Sequence, residues 1–364
     1  MPVVLIAMSA TIPVFDGHND VVLRLLAQHQ SFFDRNPDGH IDLPRAREGG
    51  LGGGFCAVSV PGAHRQALEG DLAEMVKRAL AGHGDESTMP PAPDYAYSVG
   101  TAFQQMACLF RVEEQSGGQV KIVRTAEELS SCLEKGVFAI LLHIEGAEAI
   151  DPELNALEVF YRAGLRSLGI VWSRSNVFGY GVPFKFGVSP DTGPGLTDAG
   201  KALVRACNRL RIMVDLSHLN EKGFWDVAET TDAPLVATHS NAHRLAPWTR
   251  NLTDRQLDAI RESDGMVGLN FHVGFLRDDG DAVNPDTPVS AMVRQIDYLV
   301  ERLGIDRVGF GADYDGAIMP AEIGDVTGLP CLLDALRAAG YDDGALRKLA
   351  HENWVRVLRE TWGR

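Results

Sequence analysis

Residues 212–240 read IMVDLSHLNEKGFWDVAETTDAPLVATHS, and two parts of this stretch repeat one pattern: an apolar strand, a hydroxyl residue, then a histidine. Val214-Asp215-Leu216-Ser217-His218 and Val236-Ala237-Thr238-His239-Ser240 therefore read as the ends of strands in consecutive strand-and-helix units. Two histidines at matched depth on neighbouring strand ends can face one point, and imidazoles there suit a metal ion.

Outward from this pair the arrangement recurs. His18 and Asp20 follow Thr11–Phe15, Glu145 follows Phe138–Ile144, and Asp313 follows Arg307–Gly311. Such side chains, spread over most of the chain, meet only if their strands converge side by side. Further strand-like runs are Gly54–Val60, Arg166–Trp172, Ile212–Ser217, Leu235–Thr238 and Met266–Phe271, which makes eight candidates in all. Between them lie stretches with a 3.6-residue apolar period: Gln66–Ala81, Ala102–Glu114, Pro152–Ala163, Asp198–Arg209, Thr253–Glu262 and Val289–Leu303. Thr253 and Gln256 have the spacing of a capping box.

This alternation predicts an α/β fold, a (β/α)8 barrel of the TIM type. It would form one domain over residues 1–364, with its chemistry at the C-terminal ends of the strands. An open doubly wound sheet would bind at one switch point instead, and the first connection lacks a Gly-x-Gly-x-x-Gly turn. Gly49–Gly54 is glycine-rich but precedes a strand, so it reads as a tight entry into the second strand. Three loops decorate the barrel, 82–97, 178–195 and 274–288, and the last two should overhang the catalytic face. Asp343–Thr361 reads as an amphipathic helix packed on the outside.

The formal net charge of −15 argues against a nucleic-acid partner, because phosphate binding needs a basic footprint. Five scattered cysteines without a Cys-x-x-Cys pair imply neither a disulfide framework nor a thiolate zinc site. No run reaches the roughly 18 apolar residues of a membrane span, and Val3–Met8 is too short for a signal segment. A reducing cytoplasm is the expected location.

Each candidate side chain also has a plainer reading. His18 and Asp20 share one side of an extended segment by the period-two rule and can face one ion, or the segment can cap a helix. Glu145, directly after an apolar strand, is costly to bury without a cation. Its partner is either Arg166 or Arg174, or a pair of metal ions that its two oxygens bridge. Asp313 is a metal ligand, a base or a helix cap. Arg250 offers a planar fork for a substrate carboxylate, or an ordinary surface ion pair. His143, His243 and His272 lie near the mouth, whereas His29, His40, His64, His83 and His351 read as structural or solvated. With no Gly-x-Ser-x-Gly elbow and no catalytic cysteine setting, the nucleophile is expected to be metal-activated water.

Together these segments resemble the membrane (renal) dipeptidase family, metallopeptidases of the amidohydrolase superfamily. The carriers are Asp16-Gly17-His18-Asn19-Asp20, Ile144-Glu145-Gly146, Asp215-Leu216-Ser217-His218, Thr238-His239-Ser240-Asn241, Arg250-Asn251 and Gly311-Ala312-Asp313-Tyr314-Asp315-Gly316. The resemblance implies two zinc ions bridged by Glu145, one also held by His18 and Asp20, the other by His218 and His239. It further implies Asp313 as the proton-transfer group and Arg250 as the clamp on the carboxylate of a dipeptide.

A hydroxide bridging the metals would attack the peptide bond, and a D-residue at the C-terminal position stays open. Family members are often dimers, so a homodimer is the expected assembly. Two departures stand out. Mammalian members carry a histidine after the fourth strand where this chain reads Val171-Trp172-Ser173-Arg174-Ser175-Asn176, which leaves Arg174 to supply the positive charge. Phe275 stands where the family has a carboxylate-binding tyrosine, and His272 is the compensating residue. The competing readings are a deacylase or lactamase acting on N-acyl amino acids or cyclic amides, and a non-catalytic metal-binding protein.

Overall fold

The computed structural model of the chain describes residues 12–61 and 91–363. The expected helix Gln66–Ala81, most of the loop 82–97, and His64 and His83 lie outside the described residues. Among the described residues there are nine strands: β1 Val14–Asn19, β2 Leu51–Ser59, β3 Val120–Ile122, β4 Phe138–Glu145, β5 Ser167–Gly169, β6 Met213–Asp215, β7 Val236–Ala237, β8 Met266–Leu269 and β9 Val308–Phe310.

Their order is β1-β2-β4-β5-β6-β7-β8-β9, and each neighbouring pair is parallel. The ring nearly closes where Asp313 N donates to His18 O at 3.0 Å and Asp20 N to Tyr314 O at 2.8 Å. Helices alternate with the strands, so the fold is a TIM-type barrel.

β3 was not foreseen. It pairs with Phe138–Ile140 on β4, along the same edge that β5 takes up further on at His143–Glu145. Three residues are too few to display a period-two pattern. The helices Asp198–Leu210, Val289–Leu303 and Asp254–Glu262 form where their periodicity placed them, and the capping box of Thr253 and Gln256 is present.

Period-two alternation sorts each strand into two faces. Phe15, Phe55, Ala139, Leu141, Met213, Val236 and Met266 pack together inside the barrel. Ile140, Leu142, Ile144, Val214, Val267, Leu269 and Val308 pack in the larger core with the helices. Burying each of the larger of these side chains is worth about 1.5–3 kcal/mol. On β4 the inward row continues from Ala139 and Leu141 to His143 and Glu145, so a polar layer lies above the apolar one.

The C-terminal stretch departs from expectation. It forms helices Asp343–Arg347 and Asn353–Trp362 joined by a π turn, and it packs on the barrel floor as well as on the outside. The Trp354 ring lies 5.0 Å from that of Phe55, and its indole N–H donates to Phe310 O at 3.0 Å. Gly17, Gly268 and Gly309 make room for the indole, since a Cβ at any of them would press into it.

Candidate metal centre

The barrel brings the five expected ligands and Asp313 to one end. Glu145 ends β4, His18 lies near the end of β1 with Asp20 just beyond it, and His218, His239 and Asp313 follow β6, β7 and β9. His218 and Asp313 adopt left-handed backbone angles, φ 66° and 65°. Such angles are uncommon for residues other than glycine and cluster at functional sites.

Glu145 Oε1 stands 3.1 Å from His218 Nε2, 3.5 Å from His18 Nε2 and 3.6 Å from His239 Nε2. The two Nε2 atoms of His218 and His239 are 3.1 Å apart, and the rings of His18 and His239 stack at 3.8 Å. His18, Asp20 and Asp313 form a further group whose ligand atoms lie within 4.8 Å of one another. Burial, reinforced by neighbouring positive groups, holds His18, His218 and His239 well below the usual imidazole range. Neutral imidazoles are the metal-binding form. Neither ring nitrogen of the fully buried His18 has a hydrogen-bond partner. Lone pairs converging on one carboxylate, with a histidine left unsatisfied, are a donor set suited to a divalent cation.

Other residues hold the ligands. Ser173 Oγ lies 2.7 Å from His218 Nδ1, and Thr238 Oγ1 lies 2.7 Å from His239 Nδ1. Asp215 accepts from Ser217 N, Thr238 N and the Thr238 hydroxyl at 3.0, 2.8 and 2.6 Å. Asn270 Nδ2 donates to Asp313 Oδ2 at 2.9 Å, and Ser59 Oγ to Asp20 Oδ1 at 3.4 Å. Sequence reading assigned no role to Asp215, Thr238, Ser173 or Asn270. The only signal was the hydroxyl residue before each histidine: Thr238 bonds its own histidine, and Ser217 Oγ accepts from His239 N at 3.1 Å.

The arginines divide. Arg166 donates to backbone carbonyls of Arg124, Tyr161 and Leu165, and Arg174 pairs with Glu148 at 2.8 Å and donates to Val60 O at 2.6 Å. Both alternative partners of Glu145 are thus engaged elsewhere. Arg250 is buried, donating to Ser240 Oγ at 2.7 Å and His239 O at 2.9 Å. Burial pulls its pKa down to about 10, against the opposing pull of Asp313, Asp215 and Glu145. Its Nε has no hydrogen-bond partner.

His272 is buried, with Nδ1 accepting from Ile318 N at 3.2 Å and its ring 4.7 Å from that of Phe275. Segment 178–195 is fastened over the mouth by Val182 N to His218 O at 2.7 Å and Gly187 N to Pro247 O at 2.7 Å. It places Phe184 between Trp172 and Phe275, 6.3 Å from the His218 ring.

A parallel barrel whose strand ends gather histidines and carboxylates has the layout of a barrel metalloenzyme. The profile of the membrane dipeptidase family, peptidase family M19, matches residues 5–362. The chain belongs to that family and is a metallo-dipeptidase, a hydrolase of peptide bonds.

The chain is 50% identical over 260 residues to an uncharacterized protein in the pqqA 5' region of Klebsiella pneumoniae, a match covering 71% of this chain and 96% of that one. It is 27% identical over 358 residues to Dipeptidase tcpJ of Claviceps purpurea (strain 20.1), covering 95% and 76%. A metallo peptidase from Rhodobacter sphaeroides, solved with a phosphinate mimic of the dipeptide L-Ala-D-Ala, shares 51% identity and a TM-score of 0.91 over 97% of this chain and 100% of that one. The probable dipeptidase PvdM from Pseudomonas aeruginosa, 22% identical, shares the fold with a TM-score of 0.79 over 96% of each chain. Among the described residues no helix is long and apolar enough to cross a membrane.

Proposed function

We propose that this protein hydrolyses short dipeptides at a binuclear zinc centre. His18 and Asp20 would hold one ion, His218 and His239 the other, with Glu145 shared between them. The observation that carries this reading is the convergence of three imidazole Nε2 atoms within 3.6 Å of one oxygen of Glu145, with His18 otherwise unsatisfied. Zinc ions bound there would lower the pKa of a water enough to make it a nucleophile at neutral pH and would polarise the scissile carbonyl.

The protein's own residues do the rest. Asp313, anchored through Oδ2 by Asn270, takes the proton of the attacking water and delivers it to the departing amine nitrogen. Arg250 receives the substrate carboxylate on its buried fork, whose Nε has no hydrogen-bond partner within the protein. His272 accepts at Nδ1, so its neutral ring carries its proton on Nε2 and can donate to substrate where Phe275 has no hydroxyl. Arg174 contributes through the wall it forms with Trp172, 5.6 Å away, because its charge is matched by Glu148. The mimic bound by the Rhodobacter sphaeroides relative supports a D-residue at the C-terminal position of the substrate. Five unpaired cysteines support a cytoplasmic protein.

The test is hydrolysis of L,L- and L,D-dipeptides by metal-free protein reconstituted with measured equivalents of Zn²⁺. Activity should rise to a plateau at two equivalents. Two bound ions without cleavage of any dipeptide would overturn the substrate assignment in favour of N-acyl amino acids or cyclic amides.

A further inference from the structure

One polar residue of the barrel takes no part in this scheme. The inward row of β4 runs Ala139, Leu141, His143, Glu145, so His143 lies one step below the shared carboxylate. It is fully buried. Its Nδ1 is 2.9 Å from Ser167 Oγ on β5, while its Nε2 has no hydrogen-bond partner and stands 3.7 Å from Asp215 Oδ2 on β6. The ring meets that of His18 edge-on, with centroids 5.4 Å apart. One ligand atom from each of His18, His143 and Asp215 lies within 4.8 Å of the others.

Burying an imidazole where leucine would fill the space carries a solvation cost unless its nitrogens have partners. The two groups beside His143 Nε2 both lead to the metal centre. His18 is a ligand in the scheme above, and it is packed between the stacked ring of His239 on one side and the edge of His143 on the other. Asp215 holds Thr238, whose hydroxyl holds His239. With Nδ1 within hydrogen-bonding distance of the Ser167 hydroxyl, Nε2 is the ring atom that faces the Asp215 carboxylate.

We propose that His143 is a positioning residue of the metal centre: tethered by Ser167, it fixes the plane of the His18 ring and the carboxylate of Asp215, and through Asp215 and Thr238 the ring of His239. The proposal rests on the ligand assignment given under Proposed function.

Exchanges that keep one nitrogen position at a time test it. His143→Gln retains a polar atom near Nε2, His143→Asn retains one near Nδ1, and His143→Leu fills the volume with neither. The readouts are Zn²⁺ affinity by competition with a chromophoric chelator and the visible spectrum of the Co²⁺-substituted protein. His143→Leu and His143→Asn should weaken affinity about 10- to 100-fold and shift the cobalt bands, with His143→Gln within about threefold of the parent. Parental affinity and spectra in all three would reduce His143 to core filling and overturn the proposal. Should His143→Leu not fold, Ser167→Ala keeps the ring and removes its tether: weaker affinity supports the proposal, and unchanged affinity refutes it. His218→Ala is the control, because two zinc ions bound there at parental affinity would refute the ligand assignment itself.

Discussion

The hydroxyl of Thr238 stands 2.6 Å from Asp215 Oδ2, and the same oxygen stands 2.7 Å from Nδ1 of His239. A hydroxyl has one proton, and the carboxylate takes it. Thr238 must then accept from His239 Nδ1–H, which leaves the Nε2 lone pair facing Glu145. Thr238→Val removes that link without changing the volume. Zn²⁺ affinity measured against a chelator should fall about 10- to 100-fold. Unchanged affinity would show that the tautomer is set elsewhere.

Asp313 reaches the mouth from the end of β9, on a backbone held in the left-handed region at φ 65°. Replacing it with Asn keeps the size and removes the proton acceptor. Zinc content should stay at the parental level while kcat falls by about 10²- to 10⁴-fold. Turnover within a few-fold of the parent would remove Asp313 from its role.

Arg250 uses two of its nitrogens to bond Ser240 Oγ and His239 O, which sets the plane of its fork. Lysine carries the same charge but cannot reproduce that planar fork. Arg250→Lys should therefore raise KM for dipeptides by more than it lowers kcat, on the order of tenfold or more. A dipeptide amide, which lacks the carboxylate, should show little difference between the two proteins. Equal losses on both substrates would mean that Arg250 serves the fold.

Burial lowers the pKa of His272 to about 4, assisted by Arg250. Its folded pKa lies below the unfolded value near 6.5, so between about pH 6.5 and 4 the unfolded chain binds more protons. Stability is therefore fully present above pH 6.5 and declines as pH falls through that window. His272→Asn keeps an acceptor for Ile318 N but does not titrate. Urea unfolding at pH 5 and pH 7 should show a smaller loss for this variant than for the parent. An identical loss in both would falsify the burial argument.

Much of this organisation is legible from local pattern. The eight strand runs, the helices between them and the capping box of Thr253 depend on residues within a few positions of one another. The ligands are legible for the same reason: a charged or imidazole side chain directly after an apolar strand is conspicuous wherever it occurs. What supports the ligands is not conspicuous. Asp215 lies inside the duplicated pattern with nothing local to mark its role, because its partner Thr238 follows the next strand. Arg174 reads locally as a charge for Glu145 or for substrate, and only the fold sets Glu148 against it at 2.8 Å.

By itself the sequence determined the alternation of strand and helix and the identity of the side chains at the strand ends. Periodicity and turn chemistry act between near neighbours, and the parallel barrel follows from repeating one unit. Tertiary structure decided the rest. An amphipathic stripe on the last helix says that one face is buried but not against what. Trp354 reaches the barrel floor because glycines on β1, β8 and β9 leave space there. Likewise, Glu145 meets three imidazoles instead of an arginine because barrel closure sets its strand end within 3.6 Å of histidines about 70 to 130 positions away. Asp16 accepting from Ala312 N at 2.6 Å is another such contact, and no local pattern contains it.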